Sequence, residues 1–435
     1  MRFIKFLFVF LCFWAGVAEA TLPTGQALEP YTGLVASRTT APTTINTTNR
    51  QAMSRSPHYA RTTICSAAIV IPNFMVQTVS PFAEVGTGSA ATVTASFEYP
   101  MGTMTQITFA GGNTSGSVPD VSYLVSDSVA IPGCIPRGAL FAVRIYWTST
   151  TGILSVGQSL NTIGSTGFEQ GVSGITDKTM SGNVTGSSTN FPPIAIIGTT
   201  DQPSFAVMGD SIGYGQGDAQ DVGGDYGFIM KSLGPFYAYM NLTRSGDQAD
   251  KFVASSTNRA ALLQYASHVI CEYGNNDIYT LGATGAAALT DLQAIWSAAH
   301  SAGAKVYQTT ITARATSTDG WTTVANQTVT SGNANRITLN SSIRSSTDHD
   351  GYLEVADVYE TARDAGTWKP GQTANYFTAD GTHPTAWGYA LVVESGAINP
   401  FREGGHGVLM PAAGPLGAQS YSNGGIKGVL TGAAR

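Results

Sequence analysis

The hydrophobic period of this chain changes near residue 200, and that change restricts the fold more than any other feature. Between Ser66 and about Thr200 apolar residues recur at every second position. Val93, Ala95, Phe97 and Tyr99 alternate with Thr92, Thr94, Ser96 and Glu98, and Phe141, Val143, Ile145 and Trp147 alternate with Leu140, Ala142, Arg144 and Tyr146. Such alternation sets one strand face on a core and the other toward water or a second layer. Turn signals punctuate the runs at Gly111-Gly112-Asn113, Pro132-Gly133 and Pro136-Arg137-Gly138. Beyond residue 200, short apolar runs alternate with helical spacing. Phe205–Met208 precedes a helix around Asp225–Leu233, His268–Tyr273 is a strand, and Gly285–Ser301 carries Leu289, Leu292, Ile295, Trp296 and Ala299 at helical intervals. Phe236–Asn241, Lys305–Thr312 and Tyr352–Val355 read as strands, and Asn258–Tyr265, Ala334–Arg344 and Ala386–Ser395 as helices.

The first pattern predicts an all-β domain of the sandwich or jelly-roll kind. The second predicts an α/β domain, a parallel sheet with helices on both faces. The expected organisation is a leader at residues 1–20, a β-rich domain at 21–200 that opens with a loosely structured lead-in to residue 64 holding one or two strands, an α/β domain at 201–401, and a Gly/Ala-rich tail at 402–435. A long surface excursion is expected from Gly164 to Asn190. The leader has the parts of a secretory signal: basic Arg2 and Lys5, an apolar run Phe6–Trp14, and the small-x-small sequence Ala18-Glu19-Ala20. It predicts an exported protein, extracellular or periplasmic, with no integral membrane segment in the mature chain.

The whole chain has 22 basic and 28 acidic residues, a net charge of −6. Without the leader the balance is −7, and no basic stripe offers itself to nucleic acid. Charged residues are only 11% of the sequence, and the 50 glycines with many Ser and Thr suit long turns and extracellular β structure. Cys65 and Cys134 both fall in the β-rich part, where they are candidates for a disulfide in an oxidising compartment. Cys271 reads as a small buried hydrophobe. No cysteine or histidine cluster has zinc-site spacing, so no structural metal is expected.

Catalytic chemistry gathers at four places, each next to a predicted strand. The run ending at Met208 stops in Gly209, with Asp210 and Ser211 in the turn and glycines at 213, 215 and 217. Such a turn holds a serine out of the sheet. Ser245-Gly246 follows the next strand, and Gly274-Asn275-Asn276-Asp277 follows His268–Tyr273. Asp380-Gly381-Thr382-His383 precedes the last helix. A serine hydroxyl is a poor nucleophile until a base takes its proton. His383 suits that task, and Asp380, three residues earlier, is placed to hold its ring. The oxyanion formed on attack needs fixed donors, and the N–H groups of Ser211 and Gly246 with the side-chain amide of Asn276 are candidates. Gly234 is a rival for the second glycine. The other histidines, at 58, 268, 300, 349 and 406, show no carboxylate in a comparable setting. Arg314, Trp321 and Trp368 fall in loops at the expected site edge.

Gly209-Asp210-Ser211, Gly246, Gly274-x-Asn276-Asp277 and Asp380-x-x-His383 resemble the four ordered blocks of the SGNH (GDSL-type) hydrolases, over roughly residues 203 to 400. The residue after Ser211 is Ile rather than the family's Leu. The resemblance implies a flavodoxin-like three-layer α/β/α domain that hydrolyses esters through an acyl-enzyme, with Ser211, Asp380 and His383 as the triad and no metal or organic cofactor. The expected substrate is an acylated carbohydrate, O-acetyl groups on a polysaccharide, because sugar-directed members often resemble this pairing with a β-sandwich. A lipid or small ester is the alternative within the class. A carbohydrate-binding or structural protein with an idle hydrolase domain is the alternative outside it.

Overall fold

The computed structural model describes residues 28–401 apart from 80–81, 157–165, 187–189 and 222. The expected leader and the C-terminal tail lie outside the described residues.

The C-terminal part is built on a parallel sheet. Its strands lie in the order Ala238–Asn241, Ser204–Met208, His268–Cys271, Lys305–Thr309, Gly351–Leu353, and every pairing is parallel. Numbered along the chain, this is the 2-1-3-4-5 order of flavodoxin-like folds. The order reverses at Ser204–Met208, so the crevice at the carboxyl end of that strand is where such a sheet places its ligands. The strand is buried over its whole length, as expected of an apolar run covered on both faces. The helices Gly285–Ser301, Asn333–Ser345 and Ala386–Ser395 form as the helical spacing predicts. Four short helices escape that spacing: Ser211–Tyr214, Ala249–Ser255, Asn275–Tyr279 and Ala356–Tyr359. Each spans seven residues or fewer, too short to show a hydrophobic repeat.

The N-terminal part is rich in antiparallel strands. One sheet joins Tyr31–Leu34, Ala195–Thr200, Ile64–Asn73 and Ser122–Val125, with Val129–Ile135 also on Ile64–Asn73. The second joins Gly116–Val118, Ala91–Glu98, Leu140–Ser149, Gln51–Tyr59 and Gly167–Gly171, with Met104–Ile107 on Ala91–Glu98. Both sheets contribute to one core, where Ile69, Ile71 and Ile196 meet Val93, Phe97, Val143 and Ile145. A disulfide joins Cys65 to Cys134 within the first sheet, across Cα atoms 4.1 Å apart.

Two expectations for this part are corrected. The lead-in to residue 64 is not loose. It contains Tyr31–Leu34 and the nine-residue strand Gln51–Tyr59, which pairs with Leu140–Ser149 over most of its length. That strand hid its character by burying Ser54, Arg55, Ser56 and His58 and by carrying Pro57. Pro57 falls beyond the five residues that also pair with Gly167–Gly171, so the missing N–H costs no second ladder. The excursion from Gly164 is correspondingly not all surface loop, since Gly167–Gly171 is that sheet's edge strand.

The two parts share structure. The first antiparallel sheet is buried on both faces. Ala67, Ile69, Ile71 and Ile196 enter the β core, while the alternate residues Ala68, Val70, Ala195 and Ile197 pack with Ala206, Met208, Leu262 and Val269 of the α/β part. Thr39–Thr40 adds a sixth parallel strand at the edge of the α/β sheet, beside Met240 and Asn241.

Candidate active site

Ser211 begins the short helix directly after the strand at the switch point, with Asp210 as its cap. The Asp210 carboxylate accepts from the Ile212 N–H at 2.9 Å, holding the first turn. Ser211 is only 6% exposed. The glycine before it is not needed for a left-handed backbone: Gly215 and Gly217 have φ of +84° and +87°, whereas Gly209 is outside that region. What Gly209 provides is space, because a Cβ there would lie 2.5 Å from a carboxylate oxygen of Glu272.

Asp380 and His383 belong to a tight turn. Asp380 Oδ1 accepts from the N–H groups of Thr382 and His383, each at 2.8 Å, and Oδ2 meets His383 Nδ1 at 2.6 Å. The other ring nitrogen, Nε2, is 2.8 Å from Ser211 Oγ. A continuous chain of hydrogen bonds therefore runs from carboxylate to imidazole to hydroxyl. Burial pushes the Asp380 carboxyl up, but the His383 ring and the two N–H groups outweigh it and hold the group below its ordinary range. The ionised form is the one that can accept all three bonds.

Asn276 is fixed at the start of its helix. Its Nδ2 donates to the Asp247 carbonyl at 3.0 Å and its Oδ1 accepts from Thr280. Asp247 follows Gly246, so Asn276 and Gly246 are tied into one loop pair. Gly234 instead ends the helix Gly227–Leu233. The loop is clamped from below. Asp247 Oδ2 takes Arg259 Nη1 at 2.6 Å and the Tyr273 hydroxyl at 2.5 Å, all fully buried. Asp277 accepts the N–H groups of Ala249 and Asp250, capping the helix Ala249–Ser255 that follows the loop. Burial raises its carboxyl to about 6 despite those bonds.

The remaining candidates separate clearly. Trp368 is buried, and its Nε1 donates to the Gly381 carbonyl at 3.1 Å, so it braces the Asp380–His383 turn from inside. Trp321 is 8% exposed and part of the same core. Arg314 Nε donates to Thr382 Oγ1 at 2.7 Å and its guanidinium lies over the Tyr279 ring. It links the loop of His383 to the helix of Asn276. His300 does have a carboxylate, Asp350, at 2.9 Å. That pair sits at the amino end of Lys305–Thr309, where Asp350 also accepts the Val306 N–H, opposite to the catalytic end. His58 and His268 are buried, and burial lowers their ring pKa values to about 3 and about 4. His406 lies outside the described residues. Among the described residues no group of three or more His, Cys, Asp or Glu is arranged to hold a metal ion, and no helix is long and apolar enough to cross a membrane.

Ser211, His383 and Asp380 thus meet at the carboxyl ends of a flavodoxin-like sheet. Residues 207–391 match the GDSL-like lipase/acylhydrolase family, and this part of the chain is a domain of that family. The family supports a carboxylic ester hydrolase. No curated protein sequence matches the chain. Among solved structures, a mutant of an acetyl-xylooligosaccharide esterase from Geobacillus is 13% identical, with 46% of this chain and 95% of that one covered at a TM-score of 0.34. A lipase from a goat rumen metagenome is 12% identical, covering 44% and 95% at 0.33. A GDSL-like lipase from Bacteroides thetaiotaomicron is 15% identical, covering 44% and 83% at 0.30.

Proposed function

We propose that the chain is an exported serine esterase that removes acyl groups, O-acetyl groups of a polysaccharide first among them. The observation that carries the reaction is the hydrogen-bond chain from Asp380 through His383 to Ser211. Ser211 Oγ attacks the ester carbonyl carbon and His383 Nε2 takes its proton. The oxyanion is met by the N–H groups of Ser211 and Gly246 and by Asn276 Nδ2. His383 returns the proton to the leaving alcohol. Water, activated by the same ring, then hydrolyses the acyl-enzyme to release the acid and free Ser211.

The carbohydrate preference rests on the β-rich N-terminal part, the sequence of the leader, and an aromatic ledge beside His383. Thr385 binds the carbonyl of Tyr376, and the Tyr376 ring stacks on Trp387 with centroids 5.4 Å apart and planes 12° apart. Trp387 is 41% exposed, a flat apolar surface suited to the face of a sugar ring.

The test is carboxylic acid release, acetate from 4-nitrophenyl acetate and acetylated xylan and fatty acid from a triglyceride emulsion, by the wild type and by Ser211→Ala. Loss of a triad nucleophile lowers kcat by about 10⁴-fold or more. Activity that survives in Ser211→Ala refutes the serine mechanism, and faster release from triglyceride than from xylan refutes the carbohydrate preference.

A further inference from the structure

Glu272 lies outside the four blocks, yet it touches the nucleophile's turn from beneath. It follows the strand His268–Cys271 and is buried. One carboxyl oxygen, Oε2, accepts from the N–H of Asp210 at 3.1 Å and from the N–H of Gly213 at 3.0 Å. These groups flank Ser211 on either side. The two glycines around the serine are shaped to this carboxyl: a Cβ on Gly209 or Gly213 would lie 2.5 or 2.8 Å from the same Oε2. Together the contacts grip the segment 209–213, whose middle residue supplies both the Oγ and an N–H of the site.

A second carboxyl, that of Asp210, lies beside this one. Asp210 Oδ1 accepts from the Ile212 N–H, whereas Oδ2 is buried without a well-formed hydrogen bond; the Asn276 N–H also bears on this carboxyl. The Glu272 side chain is its hydrogen-bonding neighbour. Two buried carboxylates in contact repel, and one proton between them turns repulsion into a bond. The other titratable groups that act on the pair do not replace that proton. Asp277 and Asp247 bear on Asp210, and Tyr359 and Tyr389 bear on Glu272 from the two helices packed above it. None of these is a cation.

We propose that Glu272 is a positioning residue for Ser211, working as a neutral acid that donates to Asp210 Oδ2 while it accepts the N–H groups of Asp210 and Gly213. Burial, with the neighbouring Asp210 next, raises the Glu272 carboxyl well above its ordinary value, which agrees with that geometry. The inference rests on Ser211 being the nucleophile.

The experiment compares Glu272→Gln and Glu272→Ala with the wild type in kcat, KM and the infrared carbonyl band of protonated carboxyl at pH 7. A glutamine amide donates and accepts in the same places without charge. Glu272→Ala is expected to lose about 10²-fold in kcat with KM within about twofold, as a misplaced reacting group does. Glu272→Gln is expected to recover at least a tenth of the wild-type kcat, and its spectrum to lack the carboxyl band that the wild type shows. The idea is overturned if Gln is as impaired as Ala, if correctly folded Ala keeps wild-type kcat, or if the wild type shows no band that Gln removes. The infrared reading stands when Glu272→Ala does not fold. It also stands when the wild type turns over no ester, the separate result that would sink the serine mechanism.

Discussion

Two oxygens of one carboxylate organise the last block of the site. Asp380 binds its own turn through Oδ1 and the His383 ring through Oδ2, so the turn's shape and the imidazole's direction are set together. Gly381 makes the turn possible. Its φ of +73° lies in the left-handed region, and a Cβ there would meet the Ala315 carbonyl oxygen at 1.7 Å. Gly381→Ala is therefore expected to displace the loop, cost roughly 1–3 kcal/mol from strain alone, and lower kcat by about 10²-fold. Initial rates and thermal melts of the variant check both. The residues of the proposed triad and the asparagine could be named from residue type and spacing, because each block carries its chemistry locally. Glu272 was not legible. A lone glutamate at the end of an apolar strand announces nothing until the fold brings it under a turn about sixty residues away.

At the scale of elements, the proposed oxyanion loop is held through short elements, a two-residue ribbon and a six-residue helix. A two-residue ribbon from the N-terminal part, Met75–Val76 with Glu84–Val85, places Glu84 at the start of the helix Thr257–Leu262. Glu84 accepts the N–H groups of Asn258 and Arg259 at 2.8 and 2.9 Å. Arg259 then holds Asp247, and Asp247 receives Asn276. An anion at a helix start satisfies orphan N–H groups and the helix dipole at once. Glu84→Ala leaves those groups buried without a partner and is expected to cost about 1–3 kcal/mol. It is also expected to lower kcat more than it raises KM, since it loosens an oxyanion donor rather than a binding wall. Denaturant melts and steady-state kinetics read the two effects separately. The long helices could be anticipated from several turns of helical spacing, and the main strands of the parallel sheet from short apolar runs. The capping ribbon could not, since two paired residues carry no pattern.

For the molecule as a whole, a buried polar group joins the two architectures. Asp225 is enclosed, accepts the Tyr239 hydroxyl, and lies in the field of Arg38 and Arg61 from the N-terminal part. Burial, and then the neighbouring Asp221, raise its carboxyl to about 7. In the unfolded chain the same group titrates near its ordinary value of about 4. Between those pH values the folded state keeps a proton that the unfolded state releases. Stability from this group is thus full below pH ~4 and is lost as pH rises to ~7. Asp225→Asn is expected to flatten that decline, by up to a few kcal/mol between pH 4.5 and 7.5. Urea melts of both proteins across the range test the sign, and a variant whose slope equals the wild type's would refute it.

The shared sheet also fixes when the molecule can finish folding. Thr39 reaches Tyr239 across 200 residues through a side-chain hydrogen bond, and Ile64–Asn73 presents Val70 to a core whose other wall includes Met208 and Val269. During synthesis the early strands emerge with one face finished and the other waiting for partners that are made much later. Neither half can be completed and set aside before the other begins. Such separations slow the search for native pairings. They make the arrival of the α/β strands, rather than the completion of either half alone, the event that closes the structure.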